Sequence, residues 1–175
     1  MILRAVVIAA IIVAVLLLFA ATKPATLKLQ RSTVINTLPE KVFALIYDLH
    51  HWKDWQPQDE EDSTLTRTFS GPASGVGAAS EWDSRGKAGK GRMLITESQA
   101  PNRIAVKVDF VKPFESHNLN EFTLEPDPAS TKVTWSWQGQ NLCFMKVMGI
   151  FGSMDRMIGK HFDDGLAGLK TYAEK

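Results

Sequence analysis

The stretch that most constrains this chain is its last one. From Leu142 to Tyr172, the residues Val147, Phe151, Met154, Ile158, Phe162, Leu166 and Leu169 recur every three or four positions. That spacing puts them on one face of a single long helix. Lys146, Asp155, Arg156, Lys160, Asp163, Asp164 and Lys170 interrupt the pattern, so the helix is amphipathic and not apolar all round. Such a helix needs a surface to cover. Gly149, Gly152 and Gly159 lie within it, and each costs roughly 1 kcal/mol against alanine in a helix interior. A break near Gly149 to Gly152 is therefore expected, with the packed helix starting there.

The rest of the chain supplies the surface. Leu27 to Asn36 alternates as a strand. Leu38-Pro39-Glu40 then opens a helix, with proline in the first turn and glutamate at the positive end of the dipole. Val42, Phe43, Leu45, Ile46 and Leu49 continue it, and His50 to Gln56 forms a second short helix that Pro57 ends. Six period-two segments follow: Leu65–Ser70, Ala78–Ser84, Arg92–Glu97, Arg103–Phe110, Glu115–Leu124 and Lys132–Trp137. Their separators are tight turns such as Ala100-Pro101-Asn102 and Pro126-Asp127-Pro128. Parallel strands need long crossovers, so the strands form an antiparallel meander. One helix and one large sheet bury both apolar faces only if the sheet bends around the helix. Strong curvature leaves a space between them, and function is expected there.

Met1 to Ala21 stands apart. It holds a single charge, Arg4, and its apolar run from Ala5 to Ala21 approaches the ~20 residues that cross a bilayer. A cleaved signal peptide is the competing reading, with an apolar core of only ~7–15 residues and a small-x-small cleavage site. The run is longer than that, and Phe19-Ala20-Ala21-Thr22 is a poor cleavage site. The expected organisation is thus a transmembrane anchor at 1–21, a linker at 22–26 and a folded domain at 27–175. Positive charge is nearly balanced across the span, with Arg4 before it and Lys23, Lys28 and Arg31 after it. The short leading tail favours the domain lying outside the cytoplasm. A net charge of +1 and the absence of any long like-charge run give no basis for a nucleic-acid surface. Cys143 is alone, which rules out an internal disulfide and any multi-cysteine metal site.

Several short runs together resemble a known family. They are Arg31-Ser32-Thr33-Val34-Ile35-Asn36 followed by Leu38-Pro39-Glu40-Lys41-Val42-Phe43, then Asp48 and Trp52-Lys53-Asp54-Trp55-Gln56-Pro57. Gly75-Val76-Gly77-Ala78, Glu81-Trp82, Thr131-Lys132-Val133-Thr134-Trp135 and the stretch Phe162 to Lys170 complete the set. In this order they resemble the polyketide cyclase/dehydrase and START-like superfamily, also called SRPBCC or Bet v 1-like. The resemblance covers about Lys28 to the end. It implies an α+β helix-grip fold, in which a seven-stranded antiparallel sheet wraps a long C-terminal helix and encloses an apolar cavity. Members bind lipids, sterols, hormones or polyketides, and some catalyse cyclisation or dehydration. The resemblance carries no universal catalytic motif, so no catalytic residue is transferred.

For the cavity wall the bulky inward stripes are the candidates: Trp82, Met93, Ile95, Val108, Phe110, Trp135 and Trp137 from the strands, with Met154, Ile158 and Phe162 from the helix. Methionine adapts to varied ligand shapes, and buried indole N–H groups need partners. Other residues invite sharper chemistry. His50 and His51 lie near Asp48 and Asp54, but adjacent helical residues point about 100° apart and rarely share an ion, so no metal is expected. His117 with Asp109 or Glu121 forms an acid–base pair only if it faces inward; exposed strand positions are the ordinary reading. The glycine-rich runs Gly71 to Gly77 and Gly86 to Gly91 precede strands and lack a phosphate-loop signature, so they read as turns. No cofactor is expected. The leading expectation is membrane-tethered binding of a small hydrophobic or lipid-like molecule without chemistry. A cyclase or dehydratase using the same cavity is the first alternative. A partner-binding module is the second, and a cavity below roughly 300 Å³ would favour it.

Overall fold

A computed structural model describes residues 4, 6–8, 11, 14, 19, 22–56, 62–86, 88–141, 146 and 154–175, with side chains in the last stretch from 158 onward. Strand β1 (Thr26–Ile35) leads into helix α1 (Pro39–Tyr47), a 3₁₀ turn (Leu49–His51) and the short helix α2 (Trp52–Trp55). Then come β2 (Thr66–Ser70), β3 (Ala79–Asp83), β4 (Lys90–Gln99), β5 (Arg103–Lys112), β6 (Ser116–Asp127) and β7 (Ser130–Gln140), and helix α3 (Met154–Ala173) closes the chain. The strands form one antiparallel sheet in the order β1-β7-β6-β5-β4-β3-β2. This is the seven-stranded, helix-gripping architecture expected from the meander pattern and the resemblance.

Two stretches differ from the sequence reading. Strand β4 runs from Lys90 to Gln99 instead of Arg92 to Glu97, passing through a register shift between Ile95 and Glu97. Pro126 and Asp127, expected in a turn, belong to β6, which leaves only Pro128 and Ala129 to connect to β7. Pro126 is tolerated because it lies beyond Arg103–Thr123, the last pair between β5 and β6. The expected break at Gly149 to Gly152 lies outside the described residues.

The inward face is solid at one end only. Ile35, Val42, Ile46, Ile104, Leu124 and Val133 are buried there, with Leu166, Leu169 and Ala173 of α3 pressed onto them. At the helix end, Lys170 Nζ donates to the Val34 carbonyl and Glu174 accepts from the Asn36 N–H at 2.7 Å, which ties α3 to β1. Close approach makes this seam possible. A Cβ at Gly168 would overlap the backbone carbonyl of Trp55, and one at Gly165 would lie 2.8 Å from the Trp135 ring. Glycine at those two positions lets the helix lie directly on α2 and β7.

Among the described residues, no helix is long and apolar enough to cross a membrane. The described part of the N-terminal segment is helical, and its Val6, Val7, Ile8, Ile11 and Phe19 are all exposed.

Replacing glycine by alanine inside a helix normally gains roughly 1 kcal/mol. At Gly168 the new methyl meets rigid backbone, and overpacking of that kind costs ~1–3 kcal/mol. Gly168→Ala should therefore lower stability, by up to about 2 kcal/mol, in chemical denaturation. At Gly159 the neighbour is the flexible tip of Arg31, so Gly159→Ala should be neutral or mildly stabilising.

Candidate ligand-binding cavity

At the other end of the sheet the helix stands off, and a cavity of about 370 Å³ remains. The ladder shows why it lies there. Trp82, Gly91, Phe110 and Ser116 are successive cross-strand neighbours, as are Ser80, Met93, Val108 and Asn118. Small residues alternate with large ones in the first row, two polar residues flank two apolar ones in the second, and the C-terminal half of α3 does not reach this end.

Of the ten side chains expected to form the wall, eight border the cavity: Trp82, Met93, Val108, Phe110, Trp135, Trp137, Ile158 and Phe162. Ile95 does not. It is fully buried in the core, one row deeper, and pairs with Val106 beside the register shift in β4. The side chain of Met154 lies outside the described residues. Two indoles expected to need partners have them: Trp82 Nε1 donates to the Ala88 carbonyl at 3.0 Å, and Trp135 Nε1 donates to Asn120 Oδ1 at 2.9 Å.

The sequence reading missed the polar part of the wall. Ser116, Asn118 and Asn120 border the cavity from β6, and on the helical side Gln56 and His161 do the same. The signal was present, because Ser116, Asn118 and Asn120 are in phase with the inward Phe122 and Leu124. Three polar residues at the inward positions of a strand otherwise packed on a core mark a change in what that strand faces. Asn118 Nδ2 donates to Ser116 Oγ at 3.2 Å and to the Val108 carbonyl at 3.4 Å, so the stripe is internally braced. Gln56 caps the C-terminus of α2, its N–H donating to the Trp52 carbonyl at 2.8 Å, and the residue is only 6% exposed. Arg67 enters the wall from β2, and its Nη1 lies 3.4 Å from Ser80 Oγ.

His117 and Asp109 do meet, with Nδ1 donating to Oδ1 at 2.6 Å, but they lie on the outer face of the sheet. Half of the His117 side chain is exposed, and Lys107 and Glu115 complete a surface charge cluster. His50 pairs with Asp48 at 2.7 Å and His51 with Asp54 at 3.1 Å, with His51 Nε2 also 4.0 Å from the other Asp48 oxygen; among the described residues they form no cluster placed to hold a metal ion. Within the described wall His161 and Arg67 are the ionisable groups, and no carboxylate joins them. Burial holds the His161 imidazole below its ordinary value, against a smaller opposing pull from Asp164, so the ring is neutral at neutral pH.

Residues 26–174 match the family described as polyketide cyclase/dehydrase and lipid transport. The chain belongs to that family. Among curated proteins none matches it. Solved structures show the same fold in this family member's neighbours at low identity. Protein CV1439 from Chromobacterium violaceum aligns at 16% identity and a TM-score of 0.60, over 87% of this chain and 99% of its own. A protein from Rhizobium leguminosarum aligns at 15% and 0.61, over 85% and 95%. The di-domain ARO/CYC StfQ of the steffimycin biosynthetic pathway aligns at 11% and 0.65, over 86% of this chain and 51% of its own. At these identities the likeness concerns the fold.

The neutral His161 gives the family member a specific pH response. Unfolding restores the ordinary value of 6.5, so between the two values the unfolded chain binds more protons and stability rises with pH. The contribution is complete above about 6.5 and is lost as pH falls through the folded value, at no more than about 1.4 kcal/mol per pH unit. The paired carboxylates Asp48 and Asp109 are held below 3.8, so they act in a separate, more acidic window. Thermal melts from pH 8 to 5 should fall at the acid end, and His161→Gln should flatten that slope.

Proposed function

We propose that this domain binds a small hydrophobic, lipid-like molecule in its cavity, without chemistry, while residues 1–21 tether it to a membrane. The observation that carries the reading is the space itself. At about 370 Å³ it exceeds the roughly 300 Å³ at which ligand pockets begin, and Trp82, Met93, Val108, Phe110, Trp135, Trp137, Ile158 and Phe162 give it a predominantly apolar wall. The family description, which includes lipid transport, fits a helix-grip domain that takes up hydrophobic ligands.

Two features support the tether. Val6, Val7, Ile8, Ile11 and Phe19 expose apolar surface in a helical segment. Exposed apolar area on that scale is stabilised by removal from water, and a bilayer provides that. The linker also enters β1 at Thr26, opposite Gln140, at the end of the sheet where Phe110 and Ser116 border the cavity. A ligand drawn from the bilayer would meet the hollow end first. Placement of the domain outside the cytoplasm is checked by protease treatment of sealed, right-side-out vesicles, which should degrade residues 22–175.

Chemistry in the same cavity would have to move protons. Among the described wall residues His161 is the one imidazole, burial holds it below its ordinary value, and no carboxylate borders the cavity with it. Among the described wall residues, the lack of an acid–base couple favours binding over cyclisation or dehydration.

The test uses the full-length chain in lipid nanodiscs, with empty nanodiscs as the blank. Organic extracts should contain a co-purifying hydrophobic compound by mass spectrometry, and the neutral dye prodan should bind and be displaced by it. Val108→Trp, which builds an indole into the space between Met93 and Asn118, should weaken dye binding at least about tenfold, or about 1.4 kcal/mol. An empty protein that ignores the dye would sink the reading, as would a folded Val108→Trp that binds as well as the parent.

A further inference from the structure

Where the cavity meets the packed core, one of the polar groups on its wall is left without a partner among the described residues. Gln56 is 6% exposed, yet among the described residues its Oε1 has no hydrogen-bond partner. Buried polar groups are normally paired, and leaving one unpaired is costly, so an orphan on a cavity wall asks what completes it. Its surroundings are specific. A Cβ at Gly165 would touch both Gln56 Oε1, at 3.4 Å, and the Trp135 ring, at 2.8 Å. His161, one helical turn earlier, stands with its ring centroid 5.8 Å from that of Trp135, and Asn120 holds the Trp135 N–H. Gln56, His161 and Asn120 therefore surround one indole, and all three are uncharged, His161 because burial holds it neutral. The charged Arg67 pairs with Trp82 along the ladder and its guanidinium reaches Ser80 in the Met93–Val108–Asn118 row, four residues along β6 from the Phe122–Trp135 pair.

We propose that the ligand carries one uncharged donor–acceptor group, a hydroxyl or its equivalent, which Gln56 and His161 receive beside Trp135, while its apolar body lies against Trp82, Met93 and Phe110. This rests on the cavity-binding reading above and adds the chemical class of the ligand. A hydroxyl matches a carboxamide and a neutral imidazole, each of which both donates and accepts. An ionised carboxylate at this end would be buried without a cation, which is far costlier than burying a neutral group.

The experiment compares three ligands of nearly equal shape, 2-naphthol, 2-methylnaphthalene and 2-naphthoate, titrated calorimetrically into the full-length protein in nanodiscs with empty nanodiscs subtracted. The wild type should bind 2-naphthol about tenfold more tightly than 2-methylnaphthalene, in line with one buried hydrogen bond. Gln56→Leu, of similar size, should reduce that preference to about twofold or less by weakening 2-naphthol alone. The ligand-free variant should melt no lower than the wild type, because it loses a buried carbonyl oxygen that has no partner among the described residues; His161→Leu should also reduce the preference. A preference that survives Gln56→Leu, tightest binding by 2-naphthoate, or a markedly destabilised ligand-free Gln56→Leu would each overturn the assignment. Failure of all three compounds to bind the wild type would instead remove the cavity-binding reading on which it stands.

Discussion

Trp135 sits where the solid and hollow halves of this domain meet, and the rest of the structure depends on how it is held. Its ring stacks on Phe122 at 4.8 Å, meets Phe162 edge-on at 4.4 Å and meets Trp55 at 6.1 Å, so β6, α3 and α2 all converge on it. Aromatic contacts of this kind add about 0.5–1.5 kcal/mol each beyond the area they bury. The N–H is satisfied by Asn120, so the indole is fixed in orientation as well as in place. On one side of it the helix packs without a gap, and on the other the cavity begins.

That division follows from side-chain size along the helix and the strands. Gly165 and Gly168 allow α3 to descend onto α2 and β7, and Leu166, Leu169 and Ala173 complete a dry core. One turn earlier Ile158, His161 and Phe162 meet a stretch of sheet whose inward positions are Asn118, Asn120 and Gly139. A dense interior cannot be built from amides facing an imidazole, because their hydrogen-bonding groups must reach one another or something else. The same strand, β6, thus contributes a hydrophobic core through Phe122 and Leu124 and a polar cavity wall through Ser116, Asn118 and Asn120.

Much of the fold was legible in the residues. Period-two alternation identified all seven strands, and the spacing of Ile158, Phe162, Leu166 and Leu169 identified the helix face that packs inward. Most of the apolar wall was legible too, because Trp82, Met93, Val108, Phe110, Trp135 and Trp137 stand at inward positions of their strands. Ile95 belongs to the same alternation but lies one row deeper, and periodicity places a residue on a face without saying how far along it the helix withdraws. The polar wall went unread for a related reason. Gln56 follows α2 at a helix end, where polar residues are ordinary, and His161 sits among the charges of α3.

The sequence by itself determined the element order, the antiparallel connectivity and the apolar face of each element, because these follow from local periodicity and turn chemistry over neighbouring residues. It also set the N-terminal segment apart from the domain, since a long uncharged run differs in kind from the alternation that follows. Only the tertiary structure decided where the cavity lies, which of the inward side chains border it, and that Gln56, His161 and Asn120 gather around Trp135. Those are relations between residues far apart in the chain, such as Asn120 and His161. They arise from packing distance and curvature, which no local pattern encodes.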